Sequence, residues 1–265
     1  MRTEAPSRKS PLTFFALVFL LTIPFLAFHV VSQAQILPGL PLAAFAIVCP
    51  VVAAMILEYR RGGPASVGAL LRRSFDFRRI KAKGWYVPVL VLYPAVLVVS
   101  FVYLRLSGTY VPAPQISVVS ALALGAGFLV GAFCEELGWS GYAVESLQER
   151  WGAPGAALIV GTVWAVWHWA ALLQAHRSVS WIAWWSLATV AARVIMVWLY
   201  NNTGRSVFTM ALFHMILNLG WQLFPIQGSY FDQPSVAVIM AVVAIVIAVL
   251  WEPGTLERTR FRPVG

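Results

Sequence analysis

Residues 118–143 read VVSALALGAGFLVGAFCEELGWSGYA. Seventeen uncharged residues are followed by two adjacent glutamates, Glu135 and Glu136. The apolar run is long enough for a helix crossing a bilayer, which needs about 20 such residues. A carboxylate facing lipid is costly, so glutamates inside such a run face a protein interior or a water-filled cavity. Of the chain's 10 acidic residues, only this pair sits inside an apolar stretch. Two further apolar segments carry polar groups. VWAVWHWA, residues 163–170, contains His168; LFHMILNLG, residues 212–220, contains His214 and Asn218.

Composition extends the reading to the whole chain. It has 265 residues, 60% of them hydrophobic and 11% charged. Soluble domains carry roughly 25% charge. The fold class is therefore all-α: a polytopic transmembrane helical bundle of about eight spans. These are expected near 12–32, 40–58, 85–105, 118–143, 155–174, 181–200, 207–224 and 235–251. The whole length, 1–265, reads as one integral membrane domain, with residues 118–224 as its core helices. The first span lacks a small-residue cleavage site and is expected to be retained. Cys49 and Cys134 fall inside apolar spans and read as small core residues; their spacing suggests neither a disulfide framework nor a metal motif.

The net charge of +9 is explained by its placement. With the N-terminus in the cytoplasm and spans alternating, the cytoplasmic side holds Arg2, Arg8, Lys9, Arg60, Arg61, Arg72, Arg73, Arg78, Arg79, Lys81, Lys83, Arg150, Arg205, Arg258, Arg260 and Arg262. The outer side holds only Arg105 and Arg177, and Arg193 lies within a span. This bias puts both termini in the cytoplasm. Residues 59–84 form the one sizeable hydrophilic stretch. Its GALLRRSFDFRRIK, residues 68–81, reads as a basic cytoplasmic loop or interfacial helix on anionic headgroups. The patch is short and its position accounts for it, so no nucleic-acid partner is expected. Trp85, Tyr86, Trp181, Tyr200 and Trp251 read as interface anchors, and Pro24, Pro50, Pro88 and Pro94 as kinks.

Adjacent helix positions differ by about 100°. Glu135 and Glu136 therefore point differently, one free to face a chamber while the other is held by a structural partner. A carboxyl withdrawn from water suits general acid or base work near neutrality; a buried structural pair or a proton relay is the alternative. Trp164 and His168 are four residues apart and share a helix face. So are His214 and Asn218, whose imidazole and carboxamide could stabilise an oxyanion or simply tie helices together.

The ordered set of EELGWS (135–140), WAVWH (164–168) and HMILN (214–218) resembles the CPBP intramembrane proteases, which include CAAX-prenyl endopeptidases and bacterial immunity-type relatives. The family pattern is a glutamate pair with arginine four residues later, an aromatic four residues before histidine, and histidine four residues before asparagine or aspartate. The resemblance covers about residues 118–224. It implies an intramembrane endopeptidase in which Glu135 and His168 activate water, His214 and Asn218 stabilise the oxyanion, and Glu136 supports. It also implies a membrane-associated peptide substrate, a lipid-bilayer setting and, for a bacterial member, the inner membrane. Two positions depart from the pattern. Ser140 stands where the family has arginine, and Trp164 where phenylalanine is usual. Glu136 thus lacks its expected partner; a protonated Glu136 bonded to Ser140, or a counter-charge from Arg193, are the two solutions. No cofactor is expected, although Glu135, His168 and His214 would be the ligands were zinc bound. The rival readings are a catalytically degenerate immunity or scaffold protein, favoured by Ser140, and a proton-coupled transporter. Depth along the helices, ~18 Å for Glu135 and ~12 Å for His214 at ~1.5 Å per residue, leads to an expected cavity opening to the cytoplasm or laterally to lipid.

Overall fold

The computed structural model describes residues 9–32, 35–37 and 40–257. Arg2, Arg8, Arg258, Arg260 and Arg262 lie outside the described residues. Eight α-helices dominate: α1 Pro11–Ser32, α2 Cys49–Arg72, α3 Tyr86–Leu106, α4 Val118–Gly138, α5 Glu145–Gln174, α6 Val179–Asn202, α7 Val207–Leu223 and α8 Gln233–Leu250. The short antiparallel strands β1 Gln35–Leu37 and β2 Leu40–Pro41 lie between α1 and the 3₁₀ turn Leu42–Val48. The expected all-α membrane bundle is what the chain forms.

Helix starts follow local chemistry. Ser117, Ser178, Ser206 and Asp232 each accept a hydrogen bond from a backbone N–H three residues on, capping α4, α6, α7 and α8. Five stretches are long and apolar enough to cross a membrane: Pro11–Ser32, Lys83–Leu106, Val118–Gln174, Val179–Asn202 and Gln233–Leu250. The third runs α4 through a π-helical turn, Trp139–Val144, into α5, which carries helix across residues 145–154, where a loop was expected. Backbone leaves the helical region only at Gly152 (φ 68°), just before Pro154.

Two expected spans differ from this set. Helix α7 is apolar but has 17 residues. The 40–58 segment begins as a 3₁₀ turn, because Pro50 sits in the first turn of α2, where a missing N–H costs nothing. Helix α2 then runs on to Arg72, past a break at Gly62 and Gly63. Its Glu58 is buried, ion-paired with Lys9 (3.3 Å) and Arg61 (2.8 Å). Glu135 and Glu136 are thus joined by a third buried glutamate that the apolar pattern did not reveal.

Contacts between helix ends define the two ends of the bundle. At one, Phe14 meets Trp139, Trp198 stacks against both Trp85 and Trp251, and Ser206 bonds Asp76. At the other, Gln174 donates to the Leu26 carbonyl, Ser100 meets Ser235, and Gln115 bonds Pro225. Among the described residues, the first end carries Lys9 and all the basic residues of 59–84, with Arg150 and Arg205; the second carries Arg105 and Arg177.

At the basic end, residues 73–79 fold onto the core. Arg73 donates to the Gly141 carbonyl (2.9 Å), the Arg205 carbonyl (3.0 Å), Glu145 (3.2 Å) and the Tyr200 hydroxyl. Burial opposes its charge, but Tyr200, Glu145 and Asp76 more than offset this and raise its pKa. Tyr200 itself is buried and donates to Glu145 at 2.8 Å. It is therefore a packing residue and not the interface anchor its position suggested. The Asp76 carboxylate accepts from Ser206 Oγ (2.7 Å), Val207 N (3.1 Å) and Phe208 N (3.0 Å), neutralising the first turn of α7.

Candidate active site

The three polar motifs converge. Helix α4 brings Glu135 and Glu136, α5 brings Trp164 and His168, α6 brings Arg193, and α7 brings His214 and Asn218. Close approach of backbones makes this possible. A Cβ on Gly138 would fall 2.6 Å from the Pro50 carbonyl oxygen of α2, so only glycine fits there. Gly161 of α5 plays the same role against α6, with a would-be Cβ 3.0 Å from Arg193 Cβ and 3.1 Å from Val190 Cα. Small residues at such crossings let membrane helices pack tightly.

Glu136 is fully buried and has three partners, which make four hydrogen bonds to it. Arg193 grips it two-pronged, Nη1 to Oε2 at 2.8 Å and Nη2 to Oε1 at 3.0 Å. Ser140 Oγ donates to Oε2, and Arg193 Nη1 also reaches Ser140 Oγ at 3.3 Å. His214 Nδ1 lies 3.0 Å from Oε1. Of the two solutions open at Glu136, the arginine counter-charge is present, and the serine supplements it. The guanidinium comes from α6 and not from one turn along α4. Ser140 sits in the π turn, whose hydroxyl still reaches back to Glu136.

Glu135 points elsewhere. Its Oε2 accepts the Trp164 indole N–H at 2.8 Å, and its Oε1 lies 4.0 Å from His214 Nε2. That gap is too long for a hydrogen bond. The Trp164 ring is central: Arg193 Cζ lies 4.3 Å from its centroid, and the His214 ring packs edge-on at 5.0 Å. Indole and guanidinium attract each other through the ring's negative face. Phenylalanine at this position would supply the ring without the N–H.

Among the described residues, His168 and Asn218 share the space without a hydrogen bond to either glutamate. His168 Nδ1 lies 2.8 Å from the Trp164 carbonyl. A carbonyl only accepts, so Nδ1 carries the proton and Nε2 presents a lone pair. Trp167 and Trp185 flank the ring at centroid distances of 4.7 and 5.0 Å. Trp167 in turn donates to Thr22 of α1. These supporting residues were not singled out from the sequence. Trp167 adjoins His168 and was in plain view; Trp185 and Thr22 carry no local signal, since only tertiary packing brings α6 and α1 to the ring.

Glu135, His168, His214 and Asn218 all line one cavity of about 470 Å³, walled mainly by apolar side chains. Among the described residues, no three His, Cys, Asp or Glu side chains form a group that could hold a metal ion. The cavity runs away from the basic loops. Its outer lining is Leu26, Ala175, Arg177, Gln222 and Phe231, all at the end away from the basic loops. Toward the basic end the space is filled by the Glu136–Arg193 pair, Trp139, Met210 and Phe213, all buried.

Residues 114–220 match the family model for type II CAAX prenyl endopeptidases of the Rce1-like type. That segment holds every residue described above from Glu135 to Asn218. Over it, the chain is similar to the CAAX protease (CPBP) family. A curated relative, CAAX prenyl protease 2 of Methanococcus maripaludis, is 30% identical over 107 residues, covering 37% of this chain and 39% of that protein. The chain thus spans about two fifths of the length of the curated relative it matches. This similarity and the apolar helices together make the chain an integral membrane protein.

Proposed function

We propose that the chain is an intramembrane endopeptidase that hydrolyses peptide bonds of membrane-associated substrates, with Glu135 as general base. The observation that carries this reading is the division of labour between the two glutamates. Glu136 is consumed by four hydrogen bonds from three residues, whereas Glu135 has one oxygen held by Trp164 and the other facing the cavity.

In this reading a water sits beside Glu135 Oε1, with His168 Nε2 as a second acceptor. Glu135 takes the water's proton as the oxygen attacks the peptide carbonyl. The oxyanion that forms is met by His214 and Asn218 from α7. His214 Nδ1 is anchored on Glu136, a carboxylate paired to Arg193, so it donates there and Nε2 is directed at the cavity. From there Nε2 is placed to meet the oxyanion as a donor. Glu135 then returns the proton to the leaving amine as the C–N bond breaks. Such a base contributes roughly 10²–10⁴-fold and one oxyanion donor roughly 10²–10³-fold. Glu136, Ser140, Arg193 and Trp164 are positioning residues. No resident cofactor forms part of the proposal.

We read the basic end as cytoplasmic, in the inner membrane of a bacterial cell. The test is hydrolysis of quenched peptides by purified protein in H₂¹⁸O, with and without chelator. One ¹⁸O in the new carboxyl, unaffected by chelation, supports the reading; cleavage that chelation abolishes and zinc restores replaces it with metal chemistry.

A further inference from the structure

Residues 71–83, LRRSFDFRRIKAK, lead from the end of α2 toward α3 and present two different sides. Arg73, Ser74, Asp76 and Ile80 turn inward. Arg72, Phe75, Phe77, Arg78, Arg79 and Lys81 face outward, with Phe75 73% exposed. The outward side thus interleaves four cations with two phenyl rings, and the segment's carboxylate, Asp76, is withdrawn from it. The apolar stretch that includes α3 begins at Lys83, so this side lies beside the point where the chain enters the apolar layer.

Cations and aromatic rings on one side match the boundary between headgroups and acyl chains. The rings suit the edge of the hydrocarbon and the cations suit the phosphates. Each cation held near an anionic lipid surface strengthens attachment about fivefold.

The same segment is tied to both helices that carry the glutamates and His214. Phe75 packs on Phe133 of α4 with ring centroids 6.5 Å apart, and Phe77 on Phe208 of α7 at 6.0 Å. Phe133 and Phe208 meet each other at 6.2 Å. Ser206, Val207 and Phe208, at the start of α7, donate to Asp76. Arg73 donates to the Gly141 carbonyl, in the π turn that follows Glu136. Lifting the segment off the bundle removes these contacts together.

We propose that the outward side of residues 72–81 binds anionic phospholipid headgroups, and that this binding holds α7 and the π turn in the arrangement described above. An interfacial anchor needs only the outward side; the inward bonds of Arg73 and Asp76 make the segment a lipid-dependent clamp. A ligand that favours the docked segment over the lifted one stabilises it by mass action. Docked, the segment sets its cations and rings side by side at the membrane surface; lifted, nothing holds them together. The proposal concerns the position of α7 and does not rest on the protease reading.

The experiment is hydrogen exchange on the full chain in nanodiscs of phosphatidylcholine alone, or of phosphatidylcholine and phosphatidylglycerol in equal parts. The amides of Val207 and Phe208, which donate to Asp76, report the clamp. With phosphatidylglycerol their exchange should slow by about fivefold or more, and high salt should erase the difference. A chain carrying Arg78→Gln, Arg79→Gln and Lys81→Gln together should exchange alike in both discs. Asp76→Ala should retain phosphatidylglycerol in native mass spectrometry yet exchange fast in both discs. Equal wild-type exchange in the two discs overturns the proposal, as does slowing that persists in the triple variant or in Asp76→Ala. Slowing by soluble glycerophosphate in neutral discs would make the occupant a free anion and overturn the lipid assignment.

Discussion

Arg193 of α6 and Glu136 of α4 form a two-pronged salt bridge, 2.8 and 3.0 Å, with both side chains fully buried. The family's glutamate pair ordinarily has its arginine one turn further along the same helix, where this chain has Ser140. The charge has not been lost; it is delivered from a neighbouring helix. The same guanidinium lies over Trp164, which holds Glu135. One cation thus connects both glutamates to the helix that carries His168.

Removing one partner of a buried ion pair strands the other charge, at about 3–5 kcal/mol. Arg193→Leu should therefore lower the midpoint of thermal unfolding in detergent sharply. Ser140→Arg in the Arg193→Ser background returns the guanidinium to α4 and should recover much of the loss. A double variant no more stable than Arg193→Ser alone would show that Glu136 needs the α6 geometry and not merely a cation.

Trp164 supplies both a ring and an N–H, and the two separate by substitution. Trp164→Phe keeps the face beneath Arg193 and loses the bond to Glu135 Oε2. Hydrogen bonds to charged groups are worth about 1.5–3 kcal/mol, so turnover should fall about 10- to 100-fold with little change in unfolding temperature. Trp164→Ala removes the ring as well and should lower both. Equal effects from the two variants would mean that the N–H contributes nothing of its own.

Asp76 joins the basic segment to the helix bearing His214 and Asn218. Asp76→Ala should cost about 1 kcal/mol, the usual worth of a helix cap with some charge–dipole benefit. Asp76→Asn should retain part of it, since the amide oxygen can still accept. Hydrogen exchange at Val207 and Phe208 reads the effect directly: faster exchange in Asp76→Ala is expected, and unchanged exchange would remove Asp76 as the cap.

Gly161 sets the α5–α6 distance. A methyl there meets Val190 Cα at 3.1 Å, and overpacking of this kind costs about 1–3 kcal/mol. Gly161→Ala should be less stable by that order, and Gly161→Leu should fail to assemble. A fully stable Gly161→Leu would show that the two helices are not held at this crossing.

Much of this arrangement was legible in the chain itself. Apolar length marked most of the helices, the adjacent Glu135 and Glu136 stood out inside one of them, and two spacings of four residues marked the faces that carry Trp164 and His168, and His214 and Asn218. Arg193 stood out as a cation inside a span, but its rotation about α6 is a tertiary fact, so its pairing with Glu136 could be named only as one of two solutions. Tyr200 and Glu58 were misjudged for a related reason: each sits near a helix end, where position suggests solvent or headgroups, and each is buried by the folded-back segment 73–79 or by Lys9. Which end of the chamber is filled was not legible, because depth along a helix says how far a residue lies from an end, not which end the neighbouring side chains have filled.

The central claim is that Glu135, and not its better-bonded neighbour, does the chemistry. Peptide hydrolysis by Glu135→Gln, measured against wild type at matched unfolding temperature, tests it most directly. The amide keeps size and can still accept from Trp164 but cannot take a proton from water. The account predicts a fall of about 10³-fold, within the range for a general base, with the fold unchanged. Glu135→Gln protein that hydrolyses peptides at the wild-type rate would contradict it.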